Sequence, residues 1–303
     1  MSGPGSARSK KPGGKGPALG TLTAPCHHRL RAGTSGGRLG RVTTTCLTGA
    51  TDGIGRATAR LLARRAQPGD VLLLHARTAE RGAPVRDELA GEGPGEVRVV
   101  TGDLADLGQV RGLAAQVAGA GPLDALLLNA GVWLRGDAPD RSADGLPATF
   151  AVNVLAHHLL TALLRPRLAA AGGRVVWLGS GMARSGRVDP DRLQEPARDA
   201  GRAYADSKAA DVALALGWAR RLEPDGVASL ALDPGWVPTK LASAGAPGRV
   251  EDSAEALARC AQDPSVRSGT YRKGRGETAV PGHLADAALQ DALLAACDRL
   301  AGL

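Results

Sequence analysis

Residues 41–67 read RVTTTCLTGATDGIGRATARLLARRAQ. A short β-branched and apolar run closes at Leu47. The turn TGATDGIGR follows from Thr48 to Arg56, and beyond it apolar residues recur every three or four positions. The run predicts a buried strand and the periodicity predicts a helix. Between them, Gly49, Gly53 and Gly55 let the backbone bend sharply and come close to a ligand. A helix opening at this point presents unpaired N–H groups and a positive dipole end, which suits a pyrophosphate. Three glycines alone are weak evidence; their place between a first strand and a helix is what a dinucleotide site demands.

The same texture continues outward. DVLLLHAR, EVRVVTGD, LDALLLNAG, GRVVWLGS and GVASLALDPG read as buried strands. LGQVRGLAAQVAGA, TFAVNVLAHHLLTALLRPRL and YADSKAADVALALGWARRL read as helices. Near-continuous apolar strands alternating with helices predict an α/β doubly wound parallel sheet, covered on both faces. With aromatics at only 2%, the core must be built from Leu, Val and Ala. Residues 1–41 differ: they are rich in Gly, Pro and Ser and cannot bury enough surface to offset their ordering entropy. They are expected to form a disordered basic tail ahead of a single domain at 42–303. An inert extension is preferred over an anion-binding arm or a targeting peptide, because no amphipathic period is visible there.

Charge follows the same boundary. The net charge is +8, but the first 41 residues carry eight Lys or Arg and no acid, leaving 30 basic and 30 acidic residues beyond them. A neutral body argues against a nucleic-acid partner. No run of eighteen apolar residues occurs, so no membrane span is expected. Four scattered cysteines (26, 46, 260 and 297) form no metal knuckle or redox pair, and free thiols in a reducing cytoplasm are expected. Cys26, His27 and His28 offer too few ligands for a metal site, and none is expected.

The end of the second predicted strand bears on the cofactor. An NAD site places an Asp or Glu there to bond the ribose hydroxyls. Here the sequence is LLLHARTAER, with Arg77 just beyond the strand and no carboxylate at its end. A guanidinium matches a 2′-phosphate in shape and charge, and Arg56 beside the turn could assist, so NADP(H) is expected over NAD(H). Asp103 ends the third strand, where it could meet an adenine amino group or cap the next helix. Asn129, Ala130 and Gly131 close the fourth; the small residues allow close approach, and Asn129 can tie strand ends together.

YADSK, residues 204–208, sets one of only two tyrosines four residues before one of six lysines, three of which lie within the first fifteen residues. On a helix these positions share a face. A nearby ammonium favours the phenolate and tunes the phenol toward acid–base work. An ordinary amphipathic helix with a snorkelling lysine would explain the pentapeptide alone. Two further residues strengthen the chemical reading. Ser180 ends a buried strand at the carboxyl edge of the sheet, where a hydroxyl can bond a carbonyl or alkoxide oxygen. Asn153 is a polar residue within an apolar helix and could hold a water that relays protons to Lys208.

Together TGATDGIG, NAG, Asn153, Ser180 and YADSK resemble the classical short-chain dehydrogenase/reductase family, from about Val42 to the C-terminus. DGLPATFAVNVLAHHLLT, LDPGWVPTK and SGTYRKGRGETAVPGHLADAAL resemble more narrowly its retinol-dehydrogenase-like and WW-domain-oxidoreductase-like branch. The resemblance implies a Rossmann domain of about seven strands, a catalytic set of Asn153, Ser180, Tyr204 and Lys208, and an alcohol or carbonyl substrate. It also implies a homo-oligomer through the long helices. Cofactor contacts would then include Thr51, Asp52 and Ile54 in the turn and Leu104 beside Asp103. Pro234, Gly235, Val237 and Thr239 would add contacts after the sixth strand, with Tyr204 and Lys208 from their helix. Departures from the family pattern are Ala156 where Gly is frequent, Gly179 before the serine, and LDPG in place of HPG.

Other functions fit less well. A non-catalytic NADP(H)-binding regulatory protein would not need the intact tetrad. A methyltransferase would need a ribose-binding acid near the second strand, and Gly179-Ser180-Gly181 lacks the spacing of a hydrolase nucleophile elbow. His157 and His158 lie in an apolar helix and are expected to pack in the core or lie at the surface.

Overall fold

The computed structural model describes residues 42–135, 140–241 and 245–303, with Met1 and Gly3. The tail reading for 1–41 and the group at Cys26, His27 and His28 lie outside these residues, apart from those two. Residues Val42–Leu303 pack as one unit.

The opening stretch folds as its pattern requires. Strand β1, Thr44–Leu47, feeds the glycine turn and then helix α1, Gly53–Arg65. Asp52 caps α1 by accepting a hydrogen bond from Gly53 N at 2.8 Å. Further units follow: β2 (Val71–Ala76) with α2 (Ala79–Leu89), β3 (Glu96–Thr101) with α3 (Leu107–Ala118), and β4 (Ala125–Leu128). A continuous helical run comprises α4 (Ala148–Phe150), a π-helical turn (Ala151–Leu155) and α5 (Ala156–Ala171). Then come β5 (Arg174–Leu178), α6 (Ala200–Leu222), β6 (Ala228–Asp233), α7 (Val250–Gln262), β7 (Tyr271–Lys273), β8 (Gly276–Glu277) and α8 (Ala287–Ala301).

The eight strands form one sheet in the order β3-β2-β1-β4-β5-β6-β7-β8, and every pairing is parallel except β7 with β8. The direction of winding reverses between β1 and β4, which opens a crevice at their carboxyl ends. Both faces are covered. On β5, Val175 and Trp177 enter the core beneath α3, α5, α6 and α8, while Val176 and Leu178 face α1 and α7. β3 differs from the buried strand expected: it is the sheet's edge, where exposed Glu96 and Arg98 pair with each other. The run Ala148–Ala171 is long and apolar enough to cross a membrane, yet 78% of its most apolar window is buried inside the fold, as a core helix requires.

Candidate active site

The glycine turn is a cradle made of main chain. Gly49 and Gly53 take positive φ, 65° and 52°. A Cβ on Gly55 would lie 2.2 Å from the Gly49 carbonyl oxygen and 2.6 Å from Asn129 Nδ2, so only glycine fits there. Asn129 ties the strand ends: its Nδ2 donates to Thr48 O at 2.8 Å and Gly49 O at 3.1 Å. Thr48 Oγ1 accepts from the Asn129 and Ala130 amides, both at 2.9 Å. His75, which sequence reasoning passed over, accepts from Gly49 N at 3.2 Å and donates to Gly102 O at 2.9 Å. Burial lowers its pKa and keeps it the neutral tie those partners require.

These elements wall a cleft of about 390 Å³. Thr51, Asp52 and Ile54 line it with the three glycines, and Arg77, Asp103 and Leu104 form its β2–β3 side. Ala130 and Gly131 close it from β4, and Thr239 covers it from the segment after β6. Pro234, Gly235 and Val237 precede Thr239 and do not line this cleft. They shape the segment instead: Gly235 has φ 84° and donates to Asp233 Oδ1 at 2.9 Å, and Val237 is buried. The Thr239 methyl lies within 3.3 Å of where a Gly53 Cβ would stand, and Lys240 pairs with Asp52. Lys240, absent from the expected set, thus carries a positive charge to the mouth of the cleft.

Three details bear on the sequence reading. Arg56 pairs with Glu88 on α2 and is not among the residues that wall the cleft. Asp103 does not cap α3; Asp106 does, accepting from Gln109 N at 3.0 Å. Asp103 closes a turn on Ala105 N at 3.0 Å and faces Arg77 Nε at 3.6 Å. Asn153 is fully buried, and its side chain makes three hydrogen bonds. Oδ1 accepts from Val132 N at 2.8 Å, while Nδ2 donates to Val132 O at 3.0 Å and Ser207 Oγ at 2.9 Å. The amide clamps the strand-end segment beside Gly131 onto α6.

The tyrosine and lysine of YADSK do share a face. Lys208 Nζ lies 5.8 Å from the centre of the Tyr204 ring. It donates to Leu178 O at 2.7 Å and to Asp211 Oδ2 at 2.8 Å. A Cβ on Gly131 would stand 3.7 Å from Nζ, so the ammonium lies against the wall of the cofactor cleft. Burial opposes its charge, but Asp211 and Tyr204 outweigh it and the pKa is raised. Asp211 is buried as deeply, and burial pushes its pKa up to about 6 against the pull of Lys208.

Ser180 begins a 3₁₀ turn, Gly181–Arg184, and its Oγ accepts from Met182 N at 3.2 Å, leaving the hydroxyl proton free to donate. Its carbonyl oxygen accepts from the buried hydroxyl of Tyr271, the second tyrosine, at 3.0 Å. The chain beyond is pinned to α6, for a Cβ on Gly186 would meet Ala205 O at 2.1 Å. Trp133 lies flat on Tyr204, with centroids 4.8 Å apart and planes 7° from parallel, and Arg135 lies 3.9 Å above the indole. The buried Trp133 Nε1 has no partner among the described residues. Neither Trp133 nor Arg135 was singled out in sequence, because the contact joins residues 71 positions apart.

His157 and His158 are both core residues. His157 Nε2 meets Thr48 Oγ1 at 3.3 Å, and burial holds its pKa down at about 3. A larger cavity, about 870 Å³, lies beside the first turns of α6. Its walls include Val188, Leu193 and Ala197 from the segment ahead of α6, but not Tyr204.

Comparison with known proteins agrees with this geometry. The family model described as short chain dehydrogenase matches residues 43–248. The short-chain dehydrogenase chry4 of Gibberella zeae is 35% identical over 268 residues, covering 85% of this chain and 96% of its own. Polyprenol dehydrogenase of Mus musculus is 40% identical over 205 residues, covering 64% and 60%. Among solved structures, a metagenomic short-chain oxidoreductase in complex with NADP superposes with a TM-score of 0.60 at 27% identity, covering 76% of this chain and 96% of that one.

Proposed function

The chain belongs to the short-chain dehydrogenase/reductase family of oxidoreductases, in its classical retinol-dehydrogenase-like branch, and from that premise we propose that it is an NADP(H)-dependent enzyme interconverting an alcohol and a ketone or aldehyde. The observation that carries this reading is the Lys208 ammonium held 5.8 Å from the Tyr204 ring, beside a cleft whose glycine cradle fits a dinucleotide. The NADP(H) preference rests on Arg77 and Arg81, which line the cleft at the end of β2 where no carboxylate stands. The NADP complex of the structural neighbour supports it.

When bound, the nicotinamide supplies or accepts the hydride. The protein supplies the proton and its setting. In reduction, the Tyr204 hydroxyl gives its proton to the carbonyl oxygen, and in oxidation the phenolate takes it back. Ser180 Oγ donates to the same oxygen and stabilises the charge that develops on it. Lys208 makes the phenolate less costly. Asn153 acts by holding Val132, and through it the wall at Gly131. Substrates on this reading are small-molecule alcohols or carbonyl compounds; a homo-oligomer and a cytoplasmic location belong to the same proposal.

The test is a panel of carbonyl compounds and alcohols with NADPH and with NADH, run on the wild type and on Tyr204→Phe. The wild type should turn over faster with NADPH. The variant should lose at least about a hundredfold in kcat, the contribution of a positioned acid–base group, while still binding NADPH by fluorescence. Full activity in the variant would remove the acid–base assignment. Cofactor binding with no turnover of any substrate would favour a non-catalytic regulatory protein.

A further inference from the structure

Asp211 is a buried carboxylate to which the proton chemistry above gives no part. It lies one helical turn beyond Lys208 on α6 and two turns beyond Tyr204, on the same face. Its exposure is 1% and that of Lys208 is 3%. Oδ2 holds the ammonium at 2.8 Å, and Oδ1 has no partner among the described residues. Lys208 has three N–H donors. One goes to Leu178 O and one to Asp211, which leaves a single N–H for the cleft.

We infer that Asp211 is a positioning residue that fixes the Lys208 ammonium and cancels part of its field at Tyr204, and so sets the pH range in which the phenol gives and takes its proton. The inference rests on the proposed role of Tyr204. The physical reason is simple: in a dry site, the positive charge felt by the phenol is the ammonium less whatever the adjacent carboxylate offsets. An aspartate therefore makes the site less electropositive than lysine alone would. A neutral side chain at 211 would restore the full charge and favour the phenolate further.

Other ionisable groups around the pair do not confuse this reading. Cys297 from α8 faces Asp211, and burial pushes its thiol well up. His157 from α5 faces Lys208, and burial holds its imidazole down at about 3. Both stay neutral across the working range.

The chain has only two tyrosines, and burial raises the Tyr271 pKa well above the ordinary phenol range. Ultraviolet titration of phenolate absorbance in the cofactor-free protein therefore reads Tyr204 alone, and Tyr204→Phe should abolish the transition. In Asp211→Asn the midpoint should fall by about 0.5–1.5 pH units, the effect of one charge across two helical turns at an effective dielectric near 20. The pH–rate profile of turnover should move the same way. Asp211→Glu, which keeps the charge, should stay near the wild type. If the Asn variant does not fold, Asp211→Ser, with room for a water beside the ammonium, gives the same reading. An unchanged or higher midpoint in the neutral variant overturns the inference. An absent Tyr204 transition in the wild type would overturn the acid–base assignment itself, so the two failures are distinguishable.

Discussion

The middle of α6 and its C-terminal end each set an aspartate against a cation, and the two carboxylates respond in opposite directions. In the middle, one turn from Lys208, Asp211 has that lysine as its partner and one oxygen without any among the described residues. Burial wins, and the pKa is pushed up to about 6. At the far end, Asp298 from α8 accepts from His158 Nε2 at 2.8 Å and from Arg221 at 3.0 and 2.9 Å. Burial again opposes the charge, but the donors outweigh it and hold the pKa at about 2. Trp218 Nε1 donates to His158 Nδ1 at 3.2 Å, so the imidazole is neutral on that side and offers its other N–H to Asp298. The lesson is that burial and the number of donors together decide the sign of a carboxylate's shift: Asp211 is fully buried with one cation, whereas Asp298 is partly exposed and has two donor side chains. The C-terminal site is saturated; the site beside Tyr204 keeps a polar atom unpaired among the described residues, as functional sites often do.

The largest expected effect is at the unsaturated site. Asp211→Ala leaves the Lys208 ammonium buried without its counter-ion, and urea denaturation should show a loss of about 3–5 kcal/mol. A loss below about 1 kcal/mol would mean that the pair is not dry.

Asp298→Asn should cost less, about 1–2 kcal/mol at neutral pH after allowing for its partial exposure. Its pH dependence gives the sign. The folded pKa of about 2 lies below the unfolded value near 3.9, so this stability is present above the latter and is lost as pH falls through the former. Melts at stepped pH should therefore show wild type and variant converging in acid. A gap that widened on acidification would contradict the depressed value.

The smallest effect is expected where the tie is neutral. Tyr271→Phe removes the 3.0 Å bond to Ser180 O and should cost about 1 kcal/mol of stability. The accompanying fall in kcat should be modest, since Ser180 Oγ is also held by Met182 N. A loss as large as that of Tyr204→Phe would make Tyr271 part of the chemistry.

Legibility in the sequence followed the range of the interactions. The glycine turn, the β–α alternation and the shared face of Tyr204 and Lys208 depend on backbone geometry within a few residues, and each is visible as spacing. Asp211 carried a readable signal too, a carboxylate three residues after a lysine and directly ahead of the apolar run VALAL. Trp133 on Tyr204, Tyr271 under Ser180, Lys240 on Asp52 and His75 under Gly49 carried none, because each joins distant segments. Asn153 was found as an unusual polar residue, but its partner Val132 was not, since that contact too joins distant segments.

The sequence by itself determined the winding of the sheet, the cradle for a dinucleotide and the helix face that bears the phenol and the amine, since local periodicity and glycine geometry leave few alternatives. Tertiary structure alone decided how much charge reaches that phenol, what stacks on it and what ties down the main chain of the serine. Those depend on burial and on which distant donors a buried group finds, and neither is encoded in any short stretch of the chain.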